Sequence, residues 1–106
     1  MRTTTKHLES LIKQLNESLQ KPIEPNYLLT TNEGRKLYWN VGNYHLISAY
    51  GGYNLAKVVN DSGGITEPLY GGYVSKRELY YKLTSYINGV VEGKKLGKLL
   101  SEVNNG

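Results

Sequence analysis

Apolar residues recur at helical spacing through the N-terminal segment. Leu8, Leu11, Ile12, Leu15 and Leu19 fall on one stripe, while Lys6, Glu9, Lys13, Asn16, Glu17 and Gln20 occupy the other faces. That spacing predicts an amphipathic helix from about Thr4 to Leu19, capped by one of the threonines at positions 3–5. Lys21-Pro22 and Glu24-Pro25 end it and begin an extended connector. The pattern then changes to alternation. Tyr27–Thr31 reads as a weak strand, and Asn32-Glu33-Gly34 is turn chemistry. Over Arg35–Val41, Leu37, Trp39 and Val41 take one face and Lys36, Tyr38 and Asn40 the other. This alternation predicts a largely buried Trp39. Gly42-Asn43 reads as the next tight turn, Tyr44–Tyr50 as a strand, and Gly51-Gly52 as its break. Tyr53–Asn60 reads as a strand, although Leu55, Val58 and Val59 also fit a short helical turn. Ile65–Leu69 is a short strand, placed at an edge by Pro68.

A second helix opens at Ser75-Lys76-Arg77-Glu78, the sequence of a reciprocal capping box, with Val74 and Leu79 as its hydrophobic staple. Leu79, Leu83, Tyr86, Ile87 and Val90 form its apolar stripe, and Asn88-Gly89 supplies a plausible end. The fold class that follows is α+β: an N-terminal helix, an antiparallel meander of four to five strands and a C-terminal helix, both helices on one sheet face. The chain has 106 residues, enough for one domain with one modest core. Residues 1–93 are expected to form that domain and residues 94–106 a short basic tail, whose Leu96, Leu99, Leu100 and Val103 suit either a short docking helix or a segment that folds only on a partner.

Composition narrows the chemistry. With no cysteine, disulfides, thiolate metal sites and cysteine nucleophiles are excluded. His7 and His45 are isolated, and neither is accompanied by a second histidine or a carboxylate cluster at metal spacing. The nine acidic residues are spread singly, with no pair set for acid–base work. The expectation is a non-enzyme without cofactor or metal. No apolar run is long enough to span a bilayer, and the N-terminus lacks the apolar stretch of a signal peptide. A cytoplasmic protein with no membrane association is expected.

Binding signals are stronger. The chain has 10 Tyr, one Trp and no Phe, more tyrosine than a small core requires, and tyrosine suits recognition surfaces. A codon-composition bias would give the same excess. Tyr50-Gly51-Gly52-Tyr53 is echoed by Tyr70-Gly71-Gly72-Tyr73. No glycine pair belongs to a phosphate loop. The bland reading is two separate turns flanked by packing rings; the functional one is a tyrosine-lined surface comprising Tyr50, Tyr53, Tyr70 and Tyr73. Net charge is +4, which permits an acidic partner. Lys76, Arg77 and Lys82 gather at the start of the second helix, where Lys76 and Arg77 oppose the macrodipole. Lys94, Lys95 and Lys98 crowd the tail.

The segments Val41-Gly42-Asn43-Tyr44-His45-Leu46-Ile47-Ser48-Ala49-Tyr50-Gly51-Gly52-Tyr53-Asn54-Leu55, Val58–Ile65 and Ser75-Lys76-Arg77-Glu78-Leu79-Tyr80 resemble a pattern in small accessory proteins of tailed phages and prophages. The resemblance covers roughly positions 41–90. It implies a binding protein acting in the host cytoplasm, for example on a host defence complex such as a CRISPR nuclease. The element order also resembles the double-stranded RNA-binding domain, which is shorter and has a denser lysine motif. Three readings follow: a phage-type inhibitor of a host defence system, a basic nucleic-acid-binding protein, and a small-nucleotide sponge. The first two make a macromolecule the partner, either a host protein complex or a nucleic acid. The sequence leaves oligomeric state open.

Overall fold

The computed structural model describes residues 2–104, with the backbone alone described from 94 onward. The order is α1 (Thr5–Ser18), β1 (Asn26–Thr31), β2 (Gly34–Trp39), β3 (Tyr44–Ala49), β4 (Gly52–Val58), β5 (Ile65–Thr66) and α2 (Lys76–Asn104). The α+β class and the antiparallel strands stand as the residue pattern implies. Tyr53–Asn60 resolves as strand: β4 runs from Gly52 to Val58.

The stripe of α1 buries Leu8, Ile12 and Leu15 together with Tyr44, Leu55, Leu79 and Leu83 in one core, with Leu11 and Ile87 packed partly buried at its margin. Thr4 caps α1 through a reciprocal box: its Oγ1 accepts from His7 N and its own N–H donates to His7 Nδ1, both at 3.2 Å. A histidine thus fills the place usually held by Glu or Gln. Both helices pack on one another and on the sheet of β3 and β4.

That sheet is smaller than a continuous meander. β3, β4 and β5 form a three-stranded sheet in that order, and β1 and β2 form a separate two-stranded hairpin. Gly42-Asn43 is not a hairpin turn; it is the place where the chain leaves one sheet for the other. Gly42 N donates to Val58 O, Val58 N donates to Asn43 O, and the Asn43 side-chain amide donates to Pro22 O and Ile23 O. Asn43 is fully buried, so these bonds lock the crossing in place.

The hairpin is a correction to the core read from alternation. Leu37 is 44% exposed and Val41, beyond the strand, 55%. Trp39 is half-buried, not largely buried. Its ring lies against His45 and beside Gly63. Alternation reports that one face of β2 is apolar, but among the described residues no layer covers Leu37 or Val41.

Two other expectations change. Ser75 Oγ accepts from Glu78 N at 3.2 Å, but no return bond from the Glu78 side chain forms among the described residues, so the cap of α2 is half of a box. Val74 does pack against the core that contains Leu79. Nor does α2 end at Asn88-Gly89: it continues through Gly93 to Asn104. Interior glycine costs a helix only about 1 kcal/mol, which the long run of helical neighbours overcomes. Positions 94–104 are therefore a continuation of the helix.

One buried polar side chain finishes the sheet edge. β3 is an edge strand, and Asn16 of α1 pairs with it: Asn16 Nδ2 donates to Tyr44 O at 2.9 Å and Asn16 Oδ1 accepts from Tyr44 N at 2.8 Å. The amide thus stands in for the missing strand at this point.

A candidate tyrosine-rich recognition face

The β3–β4 turn is built from the first tyrosine–glycine motif. Ala49 pairs with Gly52, leaving Tyr50 and Gly51 as the two turn residues, with φ of 54° and 74°. Positive φ at both central positions makes this a type I′ turn, whose twist matches that of the strands it joins. Asn-Gly is the favoured pair there; a bulky residue at the first position is unfavourable.

The second motif lies against the first. Tyr53 N donates to Val74 O at 2.7 Å and Val74 N to Tyr53 O at 2.9 Å. This short bridge draws Tyr73 over Gly52 so closely that a β-carbon at Gly52 would sit 3.0 Å from both Tyr73 C and Val74 N. The Tyr50 and Tyr73 rings meet edge-on at 5.8 Å. The two echoes in the sequence therefore meet at the start of β4, through Tyr50, Gly52 and Tyr53 on one side and Tyr73 and Val74 on the other, while Tyr70 lies in a neighbouring groove with Tyr81 and Lys82.

The four tyrosines differ in role. Tyr50 and Tyr70 are 97% and 95% exposed. Tyr53 and Tyr73 are half-buried, and Tyr53 packs on the core. Hence Tyr50 and Tyr70 present rings, while Tyr53 and Tyr73 hold the surface together.

The basic residues at the start of α2 border this face. The Lys76 ammonium stands 5.5 Å from the centre of the Tyr53 ring, and the Arg77 guanidinium 5.9 Å from that of Tyr81. Both cations are thus steadied by rings of their own chain, which eases their unfavourable position at a helix N-terminus. Lys82 Nζ donates to the Tyr70 carbonyl, tying α2 to the second motif. Lys94, Lys95 and Lys98 lie on the last turns of α2, and their side chains are outside the described residues.

Tyr81 escaped the sequence reading. It is 57% exposed and lines an open groove with Leu69, Tyr70, Lys82, Ser85 and Tyr86. The signal was its spacing from Arg77, four residues on along a helix, which places the two side chains together. At the inner edge of this groove the Tyr86 hydroxyl is 3.3 Å from that of Tyr44. Burial, with this hydrogen bond adding to it, pushes the Tyr86 phenol up to about 12.

Among the described residues no three His, Asp or Glu side chains come together as a metal site, and no helix is long and apolar enough to cross a membrane. The face offers rings, ammonium and guanidinium groups and backbone, groups that can meet an anionic or hydrogen-bonding surface. The chain matches no protein-family model, no curated protein and no solved structure.

Proposed function

We propose that this chain is a non-enzymatic binding protein of the phage accessory type, which uses the tyrosine face to block an acidic surface on a host defence protein such as a CRISPR nuclease. The resemblance over positions 41–90 supplies the class of protein. The observation that carries the binding role is Tyr50: a ring 97% exposed on a left-handed backbone. Stability alone favours Asn or Gly at such a position, and backbone strain concentrates where a protein presents a side chain for function. Lys76, Arg77 and Lys82 make the rim cationic, which steers an acidic partner toward it.

The test is plaque formation by phage on bacteria that carry an active CRISPR nuclease and express this chain. Wild type should restore plaques; Tyr50→Asn combined with Tyr70→Ala should not, at equal folded protein. No restoration by the wild type against a panel of nuclease types would overturn the inhibitor reading.

A second reading, direct nucleic-acid binding, is favoured by the placement of Lys76 and Arg77 beside Tyr53 and Tyr81. Exposed rings stack on bases while cations meet phosphates. Gel shift at two salt concentrations separates the readings, since phosphate contacts weaken steeply with salt. Absence of binding at low salt eliminates nucleic acid.

A further inference from the structure

The β1–β2 hairpin stands apart from the recognition face. Among the described elements its two strands make their substantial contacts only with each other, and nearly every residue of β1 is exposed. Both faces carry large apolar side chains, with Arg35 on one and Lys36 on the other toward the turn. Directly opposed residues share a face, so Leu28 and Leu37 lie on one, with Trp39 at its base, and Tyr27, Tyr38 and Leu29 on the other. Tyr27 and Tyr38 stack at 5.6 Å; Leu28 is 63% exposed and Leu29 47%. A lone two-stranded hairpin is marginally stable in water, and a third or fourth strand secures it.

Hydrogen bonds at the base of the hairpin fix which backbone groups are open. Asn40 N donates inward to Pro25 O, while Trp39 N turns away from β1 and donates to Asp61 O. In an antiparallel pair this direction alternates. The N–H and C=O of Asn26, Leu28 and Thr30 therefore point to the outer edge of β1, where no strand lies among the described residues. The outer edge of β2 is different: it begins with the Trp39 N–H already engaged, and its strand carries Arg35 and Lys36. Charged residues protect an edge against pairing with its own kind. β1, Asn26-Tyr27-Leu28-Leu29-Thr30-Thr31, has no charge and no proline.

We propose that β1 pairs with β1 of a second copy of this chain, antiparallel about a two-fold axis, to give a four-stranded sheet in the order β2-β1-β1-β2. A two-fold axis through an antiparallel pair sets a residue opposite itself. The register that uses all three open residues sets Leu28 opposite Leu28, and Asn26 opposite Thr30. It forms roughly six hydrogen bonds between copies, two for each such pair. One face then carries the continuous row Leu37, Leu28, Leu28, Leu37. On the other, Tyr27 meets Leu29 of the second copy. The cations Arg35 and Lys36 stay on the outer strands, away from the axis, so a second copy is a partner without charge conflict. The proposal is independent of the binding role assigned to the tyrosine face.

Light scattering after size exclusion, over a range of protein concentrations, tests the assembly. Wild type should approach twice the chain mass as concentration rises. Leu28→Lys sets two ammonium groups against each other at the axis and should return the mass to that of one chain. Leu28 is exposed enough that the fold should survive, and an unchanged circular dichroism spectrum checks it. Because the chain lacks cysteine, crosslinking reports the register cleanly. Tyr27→Cys mixed with Leu29→Cys should form a mixed disulfide under mild oxidant, and neither alone should crosslink. Crosslinking of Leu29→Cys with itself would overturn this register. A chain that stays monomeric at every concentration, or a dimer indifferent to Leu28→Lys, would overturn the proposal.

Discussion

Replacing Tyr50 with Asn should make the protein more stable and less able to bind. Tyr50 occupies the first central position of the type I′ turn with φ of 54°. A left-handed conformation costs a residue with an ordinary β-carbon about 1–2 kcal/mol, and Asn tolerates it best after glycine. The substitution should recover about 1 kcal/mol. Against this stands the edge-on contact with Tyr73 at 5.8 Å, whose loss costs about 0.5 kcal/mol. The ring is 97% exposed, so little apolar burial is lost with it. The net gain is about 0.5 kcal/mol, which in a domain of this size raises Tm by about 2–4 °C. Thermal and denaturant melts of wild type, Tyr50→Asn and Tyr50→Phe measure this. Phe keeps both the strain and the ring and should melt with the wild type. A Tm lowered by Tyr50→Asn would refute the strain argument. A raised Tm with undiminished plaque restoration would refute the role of the ring in binding.

Gly52→Ala drives a β-carbon to 3.0 Å from the backbone of Tyr73 and Val74; backbone cannot move aside as a side-chain tip can, so urea melts should show a loss of about 1–3 kcal/mol. Asn16→Ala strips both partners from the Tyr44 N–H and C=O at a buried edge and should cost about 2–6 kcal/mol in the same assay, since each of the two buried groups left unpaired costs about 1–3 kcal/mol. Burial lowers the His45 pKa from its ordinary 6.5, so the unfolded chain takes up this proton first as pH falls. Stability should drop from about pH 6.5 down to the lowered folded value and level off below it; melts of His45→Gln across that range should lack this component.

The local elements were legible because each rests on neighbours in the chain. The stripe Leu8, Ile12, Leu15 and the run Leu79, Leu83 mark helix faces at 3.6-residue spacing, and Ser75 marks a helix start because its hydroxyl reaches only three residues on. Strand bounds followed from turn residues in the same way. What depended on distant partners was not legible. Alternation in Leu37, Trp39 and Val41 names a face but not whether anything covers it, and only the crossing pinned by Asn43 separates that strand from the main sheet. The length of α2 exceeds the stop signal at Asn88-Gly89, because its three glycines, Gly89, Gly93 and Gly97, are each a small penalty in a long cooperative helix. The repeated tyrosine–glycine motif was visible as an echo. That its two halves meet was decided by the Tyr53–Val74 bridge, a backbone pairing between positions twenty-one residues apart whose formation depends on where the core brings β4 and the start of α2.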